Sequence, residues 1–172
     1  MQTGSKSSAK NIPVVLIASG FGTGFSPFAS GTAGSLVGVA IFLLINELSM
    51  FSYFGITLAI TVIGIPVSSI AETIFGEKDS GKIVIDEIAG QLITYLPLVG
   101  TSFAADDKVF TILVLSGFLL FRFFDIVKPP PARNFENIKG GVGVMMDDVV
   151  AGIYALVSLY GVELFLHEYI NL

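Results

Sequence analysis

Two pairs of adjacent carboxylates, Asp86-Glu87 and Asp147-Asp148, each lead straight into an apolar run. A third acid, Asp125, stands three residues after Arg122 and therefore shares its helix face. Lys128 follows one turn later, before Pro129-Pro130-Pro131 ends the helix. Asp79 precedes the turn at Ser80-Gly81, and Gly140, Gly141 and Gly143 precede Asp147. One acid at a helix start needs no function, because the macrodipole stabilises it by about 0.3–1 kcal/mol. Three acidic clusters beside several cations ask for more. The chain has no cysteine and one histidine, so its polar ligands are oxygens, which suit a hard cation such as Mg²⁺. Cations with glycine-rich turns suit a phosphate. A divalent ion between carboxylates and phosphate is a common device of phosphoryl chemistry.

Apolar helices must position these groups. Only 13% of the 172 residues are charged, 53% are hydrophobic, and the mean hydropathy is +0.82. A soluble domain carries about 25% charged residues, so much of this surface is expected to face lipid. Four stretches approach the roughly 20 residues that cross a bilayer: 34–48, 51–74, 109–127 and 149–166. A fifth, 88–99, is shorter and follows Asp86-Glu87. Backbone polar groups in lipid must be satisfied internally, which favours helices. The expectation is an all-α polytopic membrane bundle of about four to five helices. Residues 1–11 would form a mobile polar N-terminus and 12–172 a single membrane domain.

With five crossings and the N-terminus inside, Lys6, Lys10, Lys78, Lys82, Arg122, Lys128, Arg133 and Lys139 share one side, and Lys108 alone is opposite. The positive-inside rule then places the N-terminus and the acidic clusters on the cytoplasmic face. A net charge of −5 argues against nucleic-acid binding. A transporter or channel with an acidic cation site is the alternative, but it would place acids near the bilayer midplane rather than at one boundary.

The loop "GFGTGFSPFASGTAGS" looks at first like a nucleotide-binding turn. The dinucleotide spacing fails, since Phe25 and Pro27 stand where its third glycine belongs, and no Gly-Lys-Ser/Thr follows. What remains is Gly31, Thr32 and Ser35 at the opening of an apolar helix, where free amides and small hydroxyls can hold an anion.

Four stretches in order, "GFSPFASGTAGS", "KDSGKIVIDEIAG", "FRFFDIVKPPPAR" and "GGVGVMMDDVVAG", resemble the phosphatidylglycerophosphatase A family of bacterial membrane lipid phosphatases. The resemblance implies Mg²⁺-dependent hydrolysis of phosphatidylglycerophosphate to phosphatidylglycerol and phosphate in the cytoplasmic membrane. Asp79, Asp86, Glu87, Asp125, Lys128, Asp147 and Asp148 match motif positions. Ser30 stands where the family often has proline, and Ser80 and Lys139 where some members have histidine. On this reading Asp86, Glu87, Asp147 and Asp148 supply or orient the metal. Arg122, Lys128 or Arg133 hold phosphate oxygens with Gly31, Thr32 and Ser35. Asp79 or Asp125 takes the proton of an attacking water or orients another group, and an aspartyl-phosphate route stays open. The D-x-D pattern of haloacid-dehalogenase phosphatases is absent.

Overall fold

The computed structural model describes residues 4–100, 107–135 and 138–170. The chain forms α1 (Gly4–Ala18), α2 (Ser30–Ile45), α3 (Met50–Phe75), α4 (Ile85–Thr94), α5 (Asp107–Val127), α6 (Ala132–Phe135) and α7 (Gly141–Ile170). Single 3₁₀ turns cover Thr23–Phe25 and Leu96–Leu98, and there is no strand among the described residues. The all-helical expectation is met. Helix α1 starts at Gly4, within the polar first stretch.

Three helices are long and apolar enough to cross a membrane: Met50–Phe75, Lys108–Val127 and Gly141–Glu168. Helix α2, with 16 residues, is shorter, and α4 has only 10. At 1.5 Å per residue α4 is about 15 Å long, half a hydrocarbon core. It stops because Leu96-Pro97 turns the chain into a 3₁₀ bend. The expected count of four to five therefore resolves into three helices long and apolar enough to cross, one shorter apolar helix, α2, and the short α4.

Helix boundaries follow local chemistry. Ser49 caps α3 by accepting a hydrogen bond from the Ser52 amide at 3.2 Å. Gly76 ends it in the left-handed conformation, with its amide on the Glu72 carbonyl at 2.9 Å. Lys128 ends α5 in the same way, its amide bonded to the Phe124 carbonyl at 2.8 Å, but at φ 47° without glycine's freedom.

Helix α4 lies at the centre, packed against α2, α3, α5 and α7. Ile88, Leu92 and Val84 join Phe42, Tyr53, Tyr95, Leu113 and Leu159 in the main core. The two buried phenols are satisfied, Tyr53 donating to the Leu92 carbonyl at 2.9 Å and Tyr95 to the Val114 carbonyl at 2.7 Å. The outer faces of the long helices stay apolar and open, with Phe51, Leu119 and Val157 all exposed. That distribution suits lipid as the outer solvent.

Close approach at one crossing fixes the site. A Cβ on Gly152 would lie 2.6 Å from the Gly90 carbonyl oxygen, and one on Gly90 would lie 2.7 Å from the Asp148 carbonyl oxygen. The absence of side chains there lets the backbones of α4 and α7 touch. The first turn of α4 is thereby brought beside the acids of α7.

Candidate active site

The first turn of α4, the second turn of α7, the last turns of α5 and the start of α2 meet at one end of the bundle. Asp86, Glu87 and Asp148 each offer a carboxylate oxygen, and these atoms lie within 4.8 Å of one another. Asp86 and Asp148 are buried. Asp86 Oδ1 and Glu87 Oε2 are buried without any hydrogen-bond partner.

The flanking acids are neutralised. Arg122 Nη1 pairs with Asp125 at 2.5 Å, and Lys128 Nζ pairs with Asp147 at 2.7 Å. Among the described residues the central three have no such ion pair. Asp86 and Glu87 lie in a helix too short to be a span. Burial, and next the Glu87 carboxylate, push the Asp86 carboxyl well above its usual range. Glu87 is pushed up as well, chiefly by burial. Buried carboxylates in mutual repulsion are costly unless a cation joins them. Two orphaned oxygens and an all-carboxylate donor set fit a hard divalent ion.

The anion-facing wall comes from α2 and α5. A Cβ on Gly31 would fall 2.6 Å from Glu87 Oε1 and 3.1 Å from Arg122 Nη1, so this residue is the floor between acid and guanidinium. Arg122 Nη1 also donates to Ser35 Oγ at 3.3 Å, and Ser35 donates in turn to the Gly31 carbonyl at 2.9 Å. The sequence places these residues 87 positions apart, and α2 packing along α5 brings them together. The amides at the start of α2 have no intrahelical acceptor. Removing the Ser35 hydroxyl leaves the Asp125 pair to hold Arg122. Ser35→Ala should therefore cost a few-fold in activity at about 1 kcal/mol, measured as phosphate release by purified protein.

Most of the residues singled out in the sequence converge here. Asp125 adjoins both Asp148 and Glu87. Asp147 lies within reach of the Asp79 charge. Asp79 itself is exposed, with its backbone amide held by Glu72 Oε1 at 2.7 Å. Beside it opens a cleft of about 520 Å³, lined in part by Ser69, Glu72, Glu77, Lys78, Lys139 and Gly140. Thr32 is half-buried in the first turn of α2. Arg133 is exposed on α6, and among the described residues no hydrogen bond or ion pair ties it to the cluster. The acids stand at one end of the helices and not in a file along them, as a metal site at a boundary requires and a conduction path does not.

Lys128 deserves its strained backbone, because the left-handed turn swings its ammonium onto Asp147. Lys128→Met leaves Asp147 buried and unpaired. A loss of about 3 kcal/mol is expected, read as a lower thermal midpoint in detergent. One polar residue was not singled out from sequence. Gln91, fully buried, stands one turn after Glu87. Its signal was a lone amide in an otherwise apolar run.

Residues 16–163 match the family model described as phosphatidylglycerophosphatase A. A Bacteroides thetaiotaomicron protein named putative phosphatidylinositol-3-phosphatase is 43% identical over 150 residues, covering 84% of this chain and 90% of that protein. Proteins named phosphatidylglycerophosphatase A from Haemophilus influenzae and Escherichia coli are 35% and 36% identical, over 88% and 86% of this chain and 89% and 82% of their own lengths. No solved structure matches. The chain is a membrane lipid phosphatase and belongs to the phosphatidylglycerophosphatase A family.

Proposed function

We propose that the protein hydrolyses the terminal phosphate of phosphatidylglycerophosphate, releasing phosphatidylglycerol and inorganic phosphate, with Mg²⁺ at Asp86, Glu87 and Asp148. The observation that carries this reading is the carboxylate trio, two of its members buried and none in an ion pair among the described residues, while the neighbouring Asp125 and Asp147 are paired. Asp147, adjacent in sequence and held by Lys128, orients Asp148 through its Oδ1, which accepts the Asp148 amide at 3.0 Å. When bound, Mg²⁺ supplies neutralisation of phosphate charge and activation of water.

The side chains do the remaining work. Arg122 presents guanidinium N–H groups beyond those engaged by Asp125 and Ser35, and these hold phosphate oxygens. The amides of Gly31 and Thr32 at the start of α2 hold others. Lys128 adds positive charge from the Asp147 side. Asp125, beside Asp148 and Glu87, takes the proton of the attacking water. Asp79 adds a negative charge felt by Asp147 from the exposed turn after α3. Lys78, Lys82, Arg122, Lys128, Arg133 and Lys139 lie at the helix ends that carry the acids, and Lys108 at the opposite end of α5, which supports a site on the cytoplasmic face of a bacterial inner membrane.

A second reading, a phosphatidylinositol phosphate as substrate, is favoured by the name of the 43% identical relative. Both substrates present a phosphate monoester on a polyol headgroup. A panel of phosphatidylglycerophosphate, phosphatidylinositol 3-phosphate and phosphatidate in mixed micelles separates them. Fastest phosphate release from phosphatidylglycerophosphate is expected. A preference for the inositol lipid would reassign the headgroup, and no turnover of any would remove the enzyme assignment. Chelation with EDTA should stop release, and Mg²⁺ should restore it.

A further inference from the structure

Gln91 lies in the middle of α4 with no exposed surface, and neither its amide nitrogen nor its amide oxygen has a hydrogen-bond partner. An unpaired buried amide is expensive, and native proteins rarely keep one without use. Its placement suggests the use. Gln91 follows Glu87 by four residues, so the two share a helix face. Helix α2 covers both: a Cβ on Gly31 would meet Glu87 Oε1 at 2.6 Å, and one on Gly38 would meet Gln91 Cβ at 2.7 Å. Long helical side chains lean toward the helix N-terminus, which in α4 is the end carrying the acids. Glu87 Oε2 is itself buried without a partner. A carboxylate only accepts and an amide nitrogen only donates, so the two orphaned groups are complementary.

We propose that Gln91 is a positioning residue: its side-chain amide makes no hydrogen bond in this structure, and when Glu87 takes a metal its N–H donates to the Glu87 carboxylate and aims it at Asp86 and Asp148. The inference rests on the reading of Glu87 as a metal ligand. An outer hydrogen bond of this kind typically changes metal affinity by about 10–100-fold.

The test uses full-length Gln91→Leu and Gln91→Met in detergent, read by thermal unfolding against Mg²⁺ concentration and by steady-state kinetics. Without Mg²⁺ both variants should unfold at or above the wild-type midpoint, because an unsatisfied amide has been removed. The Mg²⁺ concentration for half-maximal stabilisation should rise about tenfold. At a fixed, subsaturating Mg²⁺ concentration kcat should fall while KM for the lipid stays unchanged. Wild-type Mg²⁺ response in both variants would overturn the inference. So would loss of fold, or a lower metal-free midpoint with an unchanged Mg²⁺ response, since either marks an amide used for packing alone. A wild-type midpoint that does not move with Mg²⁺ is a separate result, removing the metal reading and this inference with it.

Discussion

Asp148→Asn and Asp86→Asn should each lower Mg²⁺-dependent phosphate release by about a hundredfold to a thousandfold, while leaving the unliganded protein as stable as before or more so. The two halves of this expectation come from one fact. Asp86, Glu87 and Asp148 lie within 4.8 Å of one another, with Asp86 and Asp148 buried. An amide in place of one carboxylate removes a ligand charge, which weakens a hard divalent ion and the transition-state stabilisation it provides. The same change removes like-charge repulsion and the cost of keeping an ionised group out of water. Purified variants assayed for released phosphate and for thermal midpoint without metal would show both effects. A midpoint several degrees lower, with activity retained, would mean that the trio serves packing and does not hold a metal ion.

Gly31→Ala is the second large effect, and its sign is set by competing terms. Alanine in a helix is favoured over glycine by about 1 kcal/mol. Here Gly31 sits in the first turn of α2, and the added methyl would stand 2.6 Å from Glu87 Oε1 and 3.1 Å from Arg122 Nη1. Arg122 is already committed to Asp125 and Ser35, and α2 is seated against α4 through Gly34 and Gly38, so neither side yields freely. Overpacking of this kind costs about 1–3 kcal/mol. It also moves Glu87 and the guanidinium, and a 1 Å misplacement can cost about a hundredfold in rate. The variant should fold with a slightly lower midpoint and lose ten- to hundredfold in activity. Gly76→Ala is a useful contrast, because nothing lies within 4 Å of its Cβ position. Its cost should be confined to stability, through the left-handed φ of 69° that alanine tolerates poorly.

The acidic clusters, the cations and the glycine loop were all legible in the sequence, because charge at the end of an apolar run is conspicuous. The division of labour among them was not. Asp147 and Asp148 are adjacent and look equivalent. Folding sends Asp147 to Lys128 and Asp148 to the trio, because side chains one position apart on a helix diverge by about 100°. Arg122 and Asp125 advertised their pairing through i,i+3 spacing, whereas the bond from Arg122 to Ser35 depends on how α2 lies along α5. The stretch 88–99 read as a fifth crossing or a short insertion. The structure makes it a 10-residue helix enclosed by its neighbours, with a 3₁₀ turn beyond it. Its enclosure could not be read from hydropathy, since a buried helix and a lipid-facing one are equally apolar. Arg133, a phosphate-ligand candidate by its position, sits exposed on the short helix after the prolines.

The most direct measurement is phosphate release from phosphatidylglycerophosphate by purified protein that has been stripped with EDTA and then titrated with Mg²⁺, wild type beside Asp148→Asn. Stripped wild type should be inactive and should recover fully as Mg²⁺ is restored, and Asp148→Asn should stay at or below about one hundredth of that rate at the same Mg²⁺. Turnover by the stripped wild type, or full recovery of Asp148→Asn, would contradict a metal-dependent phosphatase site built on Asp86, Glu87 and Asp148.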